Sequence, residues 1–447
     1  MDSVVPDIDS SPPADKTEDS SREAGGGPRP TVYEQQFPSE NVDVDAVKVI
    51  RRLTRHGHTA YLVGGGVRDL LLGRRPKDFD VATSARPEEV RRLFRNCRVI
   101  GRRFRLAHIL FAGGKVIETA TFRRDPMQAF DEAEGEFREE MDAQQEEESD
   151  APARRERGED VDLLIRHDNV FGEPHEDAIR RDFTINGLFY DIEAAEVIDY
   201  VGGVPDLERR LVRTIGDPDV RIREDPVRIL RAIKFSARLD LGIDPELYDA
   251  MVSHRDELER AAKPRVLEEI LRLLRGGASH RSIYIGWDTG VLGVLLPELA
   301  SWLDDEAPDS DLLWGRLSGL DRRQQQGRLP NDAVLLAALL AGPLNEAVED
   351  ARDPTDAFES FFDDVHERLV VPRRLKDRIR AITIAQRRLR QGKLGSLPRR
   401  DFFADAATLH AIECEARGKE VPTWAEEPDR VEGQPTRRSR RRRRRRP

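Results

Sequence analysis

Hydrophobic positions carry no pattern through residues 1–38, which are rich in Ser, Pro, Asp and Gly. Such a composition cannot bury enough apolar surface to offset chain entropy, so this segment is expected to be disordered. From Asp43 the pattern falls into step. Val44, Val47, Ile50 and Leu53 recur at helical spacing and predict an amphipathic helix. The apolar run Ala60 to Val63 predicts a strand, Gly64-Gly65-Gly66 a turn, Val67 to Leu72 a short helix closed by Gly73, and Asp78 to Thr83 a second strand. A helix over Pro87 to Phe94 and strands at Cys97–Ile100, Ala107–Phe111 and Val116–Phe122 follow, which makes the first domain mixed α/β.

Residues 130–160 hold almost no large apolar side chains and read as a mobile acidic insertion. Beyond Asp177 the helical period dominates: Ala178–Asn186, Asp225–Leu239, Pro245–Ser253, Val266–Leu274, Ser282–Leu295, Asp332–Leu340 and Leu375–Arg390, with a strand pair near 188–199. From 418 to the end, where arginines crowd residues 437–446, no packed core is expected. The class is α+β: a mixed sheet with helices, then an all-α continuation and a disordered basic tail.

Composition changes this picture in two places. At 447 residues the chain has room for two or three domains. Its two cysteines, Cys97 and Cys414, have no metal-ligand or redox spacing, so a reducing, cytoplasmic setting is expected. No run is long and apolar enough to span a membrane, and the N-terminus is acidic where a signal peptide is basic. The net charge of −11 argues against a nucleic-acid partner until its distribution is considered. Acids collect in the N-terminal segment and at 131–162; arginines collect around 91–105, 209–238, 370–400 and at the C-terminus, so basic faces coexist with an acidic total.

Candidate chemistry begins at Asp78 and Asp80. One residue apart on a predicted strand, they project from one face. Paired oxygen donors of this kind suit Mg²⁺, and nucleotidyl transfer uses two such ions about 3.5–4 Å apart. An isolated Asp-X-Asp is more often a pair of solvated acids. The upstream turn changes the reading, because Gly64, Gly65 and Gly66 between a strand and a helix N-terminus let backbone N–H groups approach a phosphate, and Arg68 adds a cation.

Together, Gly-Gly-Gly-Val-Arg-Asp at 64–69 and Asp-Phe-Asp-Val at 78–81 resemble the class II branch of the polymerase-beta nucleotidyltransferase superfamily, which holds CCA-adding enzymes and bacterial poly(A) polymerases. The resemblance runs from about Tyr61 to Leu274 and implies a polymerase-beta-like head at 39–200, carrying the insertion, a helical neck at 201–275 that selects the base, and a helical RNA-binding body at 276–417. Arg180-Arg181-Asp182 resembles the family's Arg-Arg-Asp motif. That implies ribose and phosphate contacts from Arg181 and a third catalytic carboxylate in Asp182, with Glu118 on the Val116–Phe122 strand as the competing candidate. Glu224-Asp225-Pro226-Val227-Arg228 resembles the base-selecting motif. It implies that Asp225 and Arg228 read the Watson–Crick edge, and that Arg231 and Lys234 reach the triphosphate. Lys234 keeps the charge but lacks the bidentate fork of the arginine that many members carry. Lys263 to Ile270 resembles the motif that orders the neck.

Poly(A) and CCA addition share this head. Gly101 to His108, with Cys97 ahead of it and Asp168 to Gly172 before the Arg-Arg-Asp motif, resembles the poly(A) branch. The arginine tail suits it physically, since phosphate contacts bind any RNA 3′ end by counterion release. The expected substrates are ATP and RNA 3′ ends with Mg²⁺, possible RNA-decay partners, and neither DNA nor membrane. CCA addition is the first alternative and a non-catalytic RNA-binding protein the second, although all three aspartates are present. A phosphohydrolase reading of His167-Asp168 finds no second metal-ligand cluster.

Overall fold

The computed structural model describes residues 28–101, 105–124, 170–305, 309–349 and 351–426. The acidic insertion, His167-Asp168, Asp168-Asn169, Arg102 to Phe104 and the arginine tail lie outside these residues.

Eight strands form one sheet: β1 Thr31–Glu34, β2 Ala60–Val63, β3 Asp80–Thr83, β4 Cys97–Ile100, β5 Leu106–Leu110, β6 Val116–Thr121, β7 Leu188–Asp191 and β8 Glu196–Asp199. Their order is β1-β8-β7-β2-β3-β6-β5-β4. Every neighbouring pair is antiparallel except β3 and β6, which run parallel with Asp80 opposite Glu118. The crossover between those two strands contains α3 (Pro87–Leu93), while α1 (Val44–Arg55) and α2 (Gly65–Leu71) flank β2. Helix α1 starts where the Asp43 carboxylate accepts the N–H groups of Asp45 and Ala46, at 2.9 and 3.2 Å, and it buries Ala46, Val49, Ile50 and Leu53.

The pleat sorts the two faces of the sheet. Val81 of β3 and Ile117 of β6 join the core under α1, whereas Val63, Ala82, Phe122 and Phe189 form a separate cluster on the opposite face. Side chains two apart share a face, so Asp80 goes with Ala82 and Glu118 with Phe122. Both carboxylates therefore stand on the side away from α1.

The remainder is helical: α4 (Pro174–Ile179), α5 (Gly203–Glu208), α6 (Pro218–Glu224), α7 (Arg228–Leu239), α8 (Pro245–Ser253), α9 (Lys263–Arg275), α10 (Ser279–Asp288), α11 (Val291–Leu295), α12 (Pro297–Asp304), α13 (Asp311–Gln325), α14 (Asp332–Glu349), α15 (Pro354–Leu369), α16 (Arg373–Arg390), α17 (Phe403–Ala416) and α18 (Thr423–Glu426). A two-stranded ribbon of β9 (Leu211–Val212) and β10 (Gly242–Ile243) sits between α5 and α8. The α1-side core continues without interruption from the sheet through α7 and α9 into α14 and α17.

Six expectations need correction. Thr31 to Glu34 is an edge strand on β8 and not part of a disordered segment, because Tyr33 packs on the core and Phe37 meets the Tyr190 ring edge-on at 4.8 Å. The helix expected over Ala178–Asn186 ends at Ile179: Phe183 bridges Thr214 and only Thr184–Asn186 resumes a turn. Asp78 precedes β3 and is not on it. The helix expected from Asp225 begins at Arg228, since a residue before proline avoids helical ψ and Asp225 sits at φ −149°, ψ 88°. The expected Ser282–Leu295 helix is two, broken at Gly290 with φ +72°. Ordered chain also runs past 418, with Trp424 stacked on His410 at 5.1 Å.

Candidate active site

At the end of β2 the chain turns through Gly64, whose φ of +66° and distance of 2.9 Å between a hypothetical Cβ and Arg181 Nη1 leave no room for a side chain. Helix α2 then starts with Gly65 and Gly66, and the backbone of Asp78 passes beside Gly66. Asp80 leads β3, exposed to solvent, and its parallel partner Glu118 stands level with it. Crowding by protein, by the Glu118 charge and by Asp78 pushes the Asp80 pKa up to about 6, against the opposing pull of Arg181. His108, across from Glu118 on β5, lies 3.5 Å from its carboxylate.

Asp182 has a different setting. It accepts from Arg231 Nε at 2.6 Å, Asn186 Nδ2 at 3.1 Å and the Phe183 N–H at 2.9 Å, and these bonds overcome burial to bring its pKa down to about 2. The carboxylates that act on Asp80 are Glu118 and Asp78. The expected third catalytic carboxylate is thus held as the counterion of Arg231, and Glu118 occupies the place beside Asp80.

Arg181 is gripped by Asp177 Oδ2 at 2.8 Å and donates to the Asn186 carbonyl at 3.0 Å, over the Phe189 ring. Arg68, expected to meet phosphate, is instead buried: it bonds Asp69 Oδ1 at 2.6 and 2.9 Å and Asn186 Oδ1 at 2.7 Å, and stacks on Phe235. Its guanidinium locks the 182–186 turn against α2.

On the helical side, Lys234 Nζ meets Glu269 Oε2 at 2.8 Å, and Arg272 holds the other Glu269 oxygen at 2.8 Å. Burial and the Arg231 charge lower the Lys234 pKa, while Lys234 and Arg231 lower that of Glu269 despite its burial. Arg228 gives Nη1 to Glu224 Oε2 at 2.9 Å and to the Arg221 carbonyl. Arg221 bonds Glu224 and the carbonyls of Arg180 and Arg181, tying α6 to the Arg-Arg-Asp turn. Asp225 receives both guanidinium nitrogens of Arg265, at 2.8 and 2.7 Å. Sequence reasoning gave Arg265 no part in the site; a pair separated by 40 residues leaves no local signal.

Residues Asp78, Asp80 and Glu118 thus form a concentration of negative charge, flanked by Arg181 and by a row of paired cations on α7 and α9. Among the described residues, no three His, Cys, Asp or Glu side chains make a ready metal cluster. Two or three carboxylates with substrate phosphate oxygens still fit Mg²⁺, which keeps much of its shell from water and phosphate. No helix among the described residues is long and apolar enough to cross a membrane.

Comparison with known proteins matches residues 60–213 to the poly A polymerase head domain and residues 240–303 to a probable RNA and SrmB-binding site of polymerase A. Poly(A) polymerase I of Escherichia coli O157:H7 is 38% identical over 394 residues, 85% of this chain and 80% of that protein. The CCA-adding enzyme of Bacillus velezensis is 31% identical over 66% of this chain and 63% of its own length. Among solved structures, the Bacillus stearothermophilus CCA-adding enzyme in complex with CTP superposes with a TM-score of 0.61 at 25% identity, covering 86% of this chain and 80% of that one.

Proposed function

The chain belongs to the bacterial poly(A) polymerase family, and from that premise we propose how its residues transfer AMP from ATP to RNA 3′ ends. The observation that carries the site is the parallel register of β3 and β6, which sets Asp80 level with Glu118 on the face away from the α1 core. Asp78, Asp80 and Glu118 would hold the magnesium ions. When bound, these supply charge neutralisation at the attacking 3′-hydroxyl and at the leaving pyrophosphate.

The chain's own groups do the rest. Backbone N–H groups at Gly65 and Gly66 meet the triphosphate at the start of α2, and Arg181, beside Asp80, bonds ribose or phosphate oxygens. Asp182 is a positioning residue that aims Arg231 at the triphosphate, as Glu269 aims Lys234. Asp225 and Arg228 read the adenine edge. Both are pinned from outside, Asp225 by Arg265 and Arg228 through Nη1 alone, which leaves its other nitrogens for the base. A rigid pair discriminates better than a mobile one, since a wrong base leaves fixed polar groups unpaired.

We assign residues up to about 200 to the catalytic head, 201–275 to base selection and the later helices to RNA. A cytoplasmic setting and contact with RNA-decay proteins follow the family reading. The test offers Mg²⁺ with a generic RNA oligonucleotide and with a tRNA lacking its 3′ CCA, with ATP alone or with CTP. Long A-tails on the oligonucleotide from ATP alone are expected. Addition of only C, C and A, confined to the tRNA, would move the chain to the CCA-adding branch.

A further inference from the structure

Away from the sheet, α10 and α13 carry a surface that the site above does not use. His280, Tyr284 and Trp287 recur at i, i+4 and i+7 on one face of α10, and Trp314 of α13 packs against all three, with ring centroids 5.3, 5.9 and 6.1 Å away. The cluster is open to solvent: Tyr284 keeps 49% of its surface exposed, His280 is exposed, and both indoles are half-buried.

The rim of this patch is acidic. Asp304 accepts the Trp287 indole N–H at 2.8 Å, and Asp288, one turn beyond Tyr284, accepts the Tyr248 hydroxyl at 2.9 Å. Asp305 follows Asp304, and Asp311 stands one turn before Trp314. Among the described residues no cation pairs with these carboxylates; Arg281 of the same helix is turned to Asp240 and the Leu241 carbonyl. Uncompensated carboxylates repel phosphate, so these rings face the wrong charge for RNA. A guanidinium suits both halves of the patch, because its plane stacks on Tyr and Trp faces and its fork bonds carboxylates.

The chain has guanidiniums within reach, nine of them in residues 437–446. Helix α17 leads there: a Cβ built on Gly315, the neighbour of Trp314, would lie 2.9 Å from the Ala416 Cβ, and Arg417 bonds Asp309 at 2.6 Å. Helix α18 then folds back, with Trp424 on His410, which lies six residues or roughly 9 Å before Ala416 along α17. The eleven steps from Glu426 to Arg437 span up to roughly 36 Å, ample to bring the run back to Trp314.

We propose that this aromatic and acidic patch is the docking site of the chain's own arginine run, with guanidiniums over Tyr284 and Trp314 and bonded to Asp305 and Asp311. Docked arginines are withheld from RNA until phosphate displaces them, so the patch sets how readily the run engages RNA. Docking is independent of which nucleotide the active site adds.

The probe is a fluorescent peptide of residues 437–447, and its host is a full-length variant with the nine arginines changed to glutamine. The peptide should bind that host at least about tenfold more tightly than the unvaried chain, whose own run competes at high effective concentration. In the host, Tyr284→Ala should weaken the peptide by about twofold to fivefold, the size of an exposed cation–π contact, and Tyr284→Phe should not. Asp305→Asn/Asp311→Asn, at exposed positions, should weaken it and reduce its salt dependence. Equal affinity for host and unvaried chain would remove the chain's own run as occupant. Peptide binding indifferent to every patch variant would overturn the proposal, and so would single-stranded RNA binding by the host that falls with Tyr284→Ala, which would make the rings a platform for bases. A dimer of the unvaried chain that the patch variants dissolve would overturn docking within one chain and give the run to a second copy.

Discussion

Asp80 and Asp182 are the same side chain in two settings, and the settings drive them in opposite directions. Around Asp80, burial and the charges of Glu118 and Asp78 outweigh the pull of Arg181, and its pKa climbs to about 6. Asp182 is deeper, yet Arg231, Asn186 and a backbone N–H bring it to about 2. Burial alone would raise both, so partners decide. The difference extends to the regions they belong to. On the open face of the sheet, negative charge is gathered with only partial compensation from Arg181 and His108, as a site for dications needs. Around α7 and α9 the acids are paired: Asp182 with Arg231, Glu269 with Lys234 and Arg272, Asp225 with Arg265. One region is built to receive charge and the other to hold its own geometry.

The largest effect that sharpens this contrast belongs to Asp80→Asn. Transfer should fall by at least about 10³-fold, the scale for a group acting on transition-state charge. The melting temperature should hold or rise, because a repelled charge has been removed. A clear drop in melting temperature would place Asp80 among the structural acids. Glu118→Gln should follow the same pattern, whereas full activity in that variant would return the third-carboxylate role to Asp182.

Asp182→Asn should fail in the other sense. Breaking a buried pair while leaving Arg231 uncompensated costs about 3 kcal/mol, and unfolding by denaturant measures it. The pH dependence carries the same signature. A carboxyl at about 2 when folded and near 3.8 when unfolded stabilises the fold above that unfolded value and loses the benefit as pH falls through the folded one. The wild-type chain should therefore lose about 2 kcal/mol between roughly pH 4 and pH 2 through this group, and the variant should not. Equal acid sensitivity in the two proteins would contradict the pairing.

The same contrast explains what could be read from the chain alone. Strand β2 and helix α8 appear with the bounds their apolar runs predict, and Asp80 was recognisable because two acids near a glycine turn form a local pattern. Register was not. Nothing in Val116-Ile117-Glu118 says that its strand lies parallel to β3, and that pairing is the ground on which we propose Glu118 in place of Asp182. The Ala178–Asn186 helix was a reasonable expectation from composition, but Asp182 bonds its own neighbour's N–H and Phe183 joins Thr214, so tertiary contacts override propensity. Edge strand β1 was hidden by its polar flanks.

Arg265→Ala tests whether the ordered region sets specificity. With its clamp gone, Asp225 can rotate, and the preference for ATP over CTP should fall by about tenfold, equivalent to about 1.4 kcal/mol. Activity per bound ATP should change less. Arg265→Lys supplies one bond where two existed and should recover part of the preference. Selectivity unaltered by alanine would mean that Arg265 supports α9 without instructing the base.

Gly64→Ala probes the seam between the regions. Gly64 follows the strand beside Asp80, yet a methyl group there would press on Arg181 Nη1, which Asp177 and the Asn186 carbonyl hold in place. The backbone at φ +66°, ψ −132° is one that side chains other than glycine rarely adopt, which costs about 1–3 kcal/mol, and denaturant unfolding should show a loss of that size. Activity should fall further than this loss of stability explains, because Arg181 is displaced from beside Asp80. The decisive measurement compares kcat with KM for ATP at a temperature where the variant is fully folded. A KM defect with kcat preserved would confine Arg181 to binding, while a fall in kcat would put its charge on the reacting phosphate.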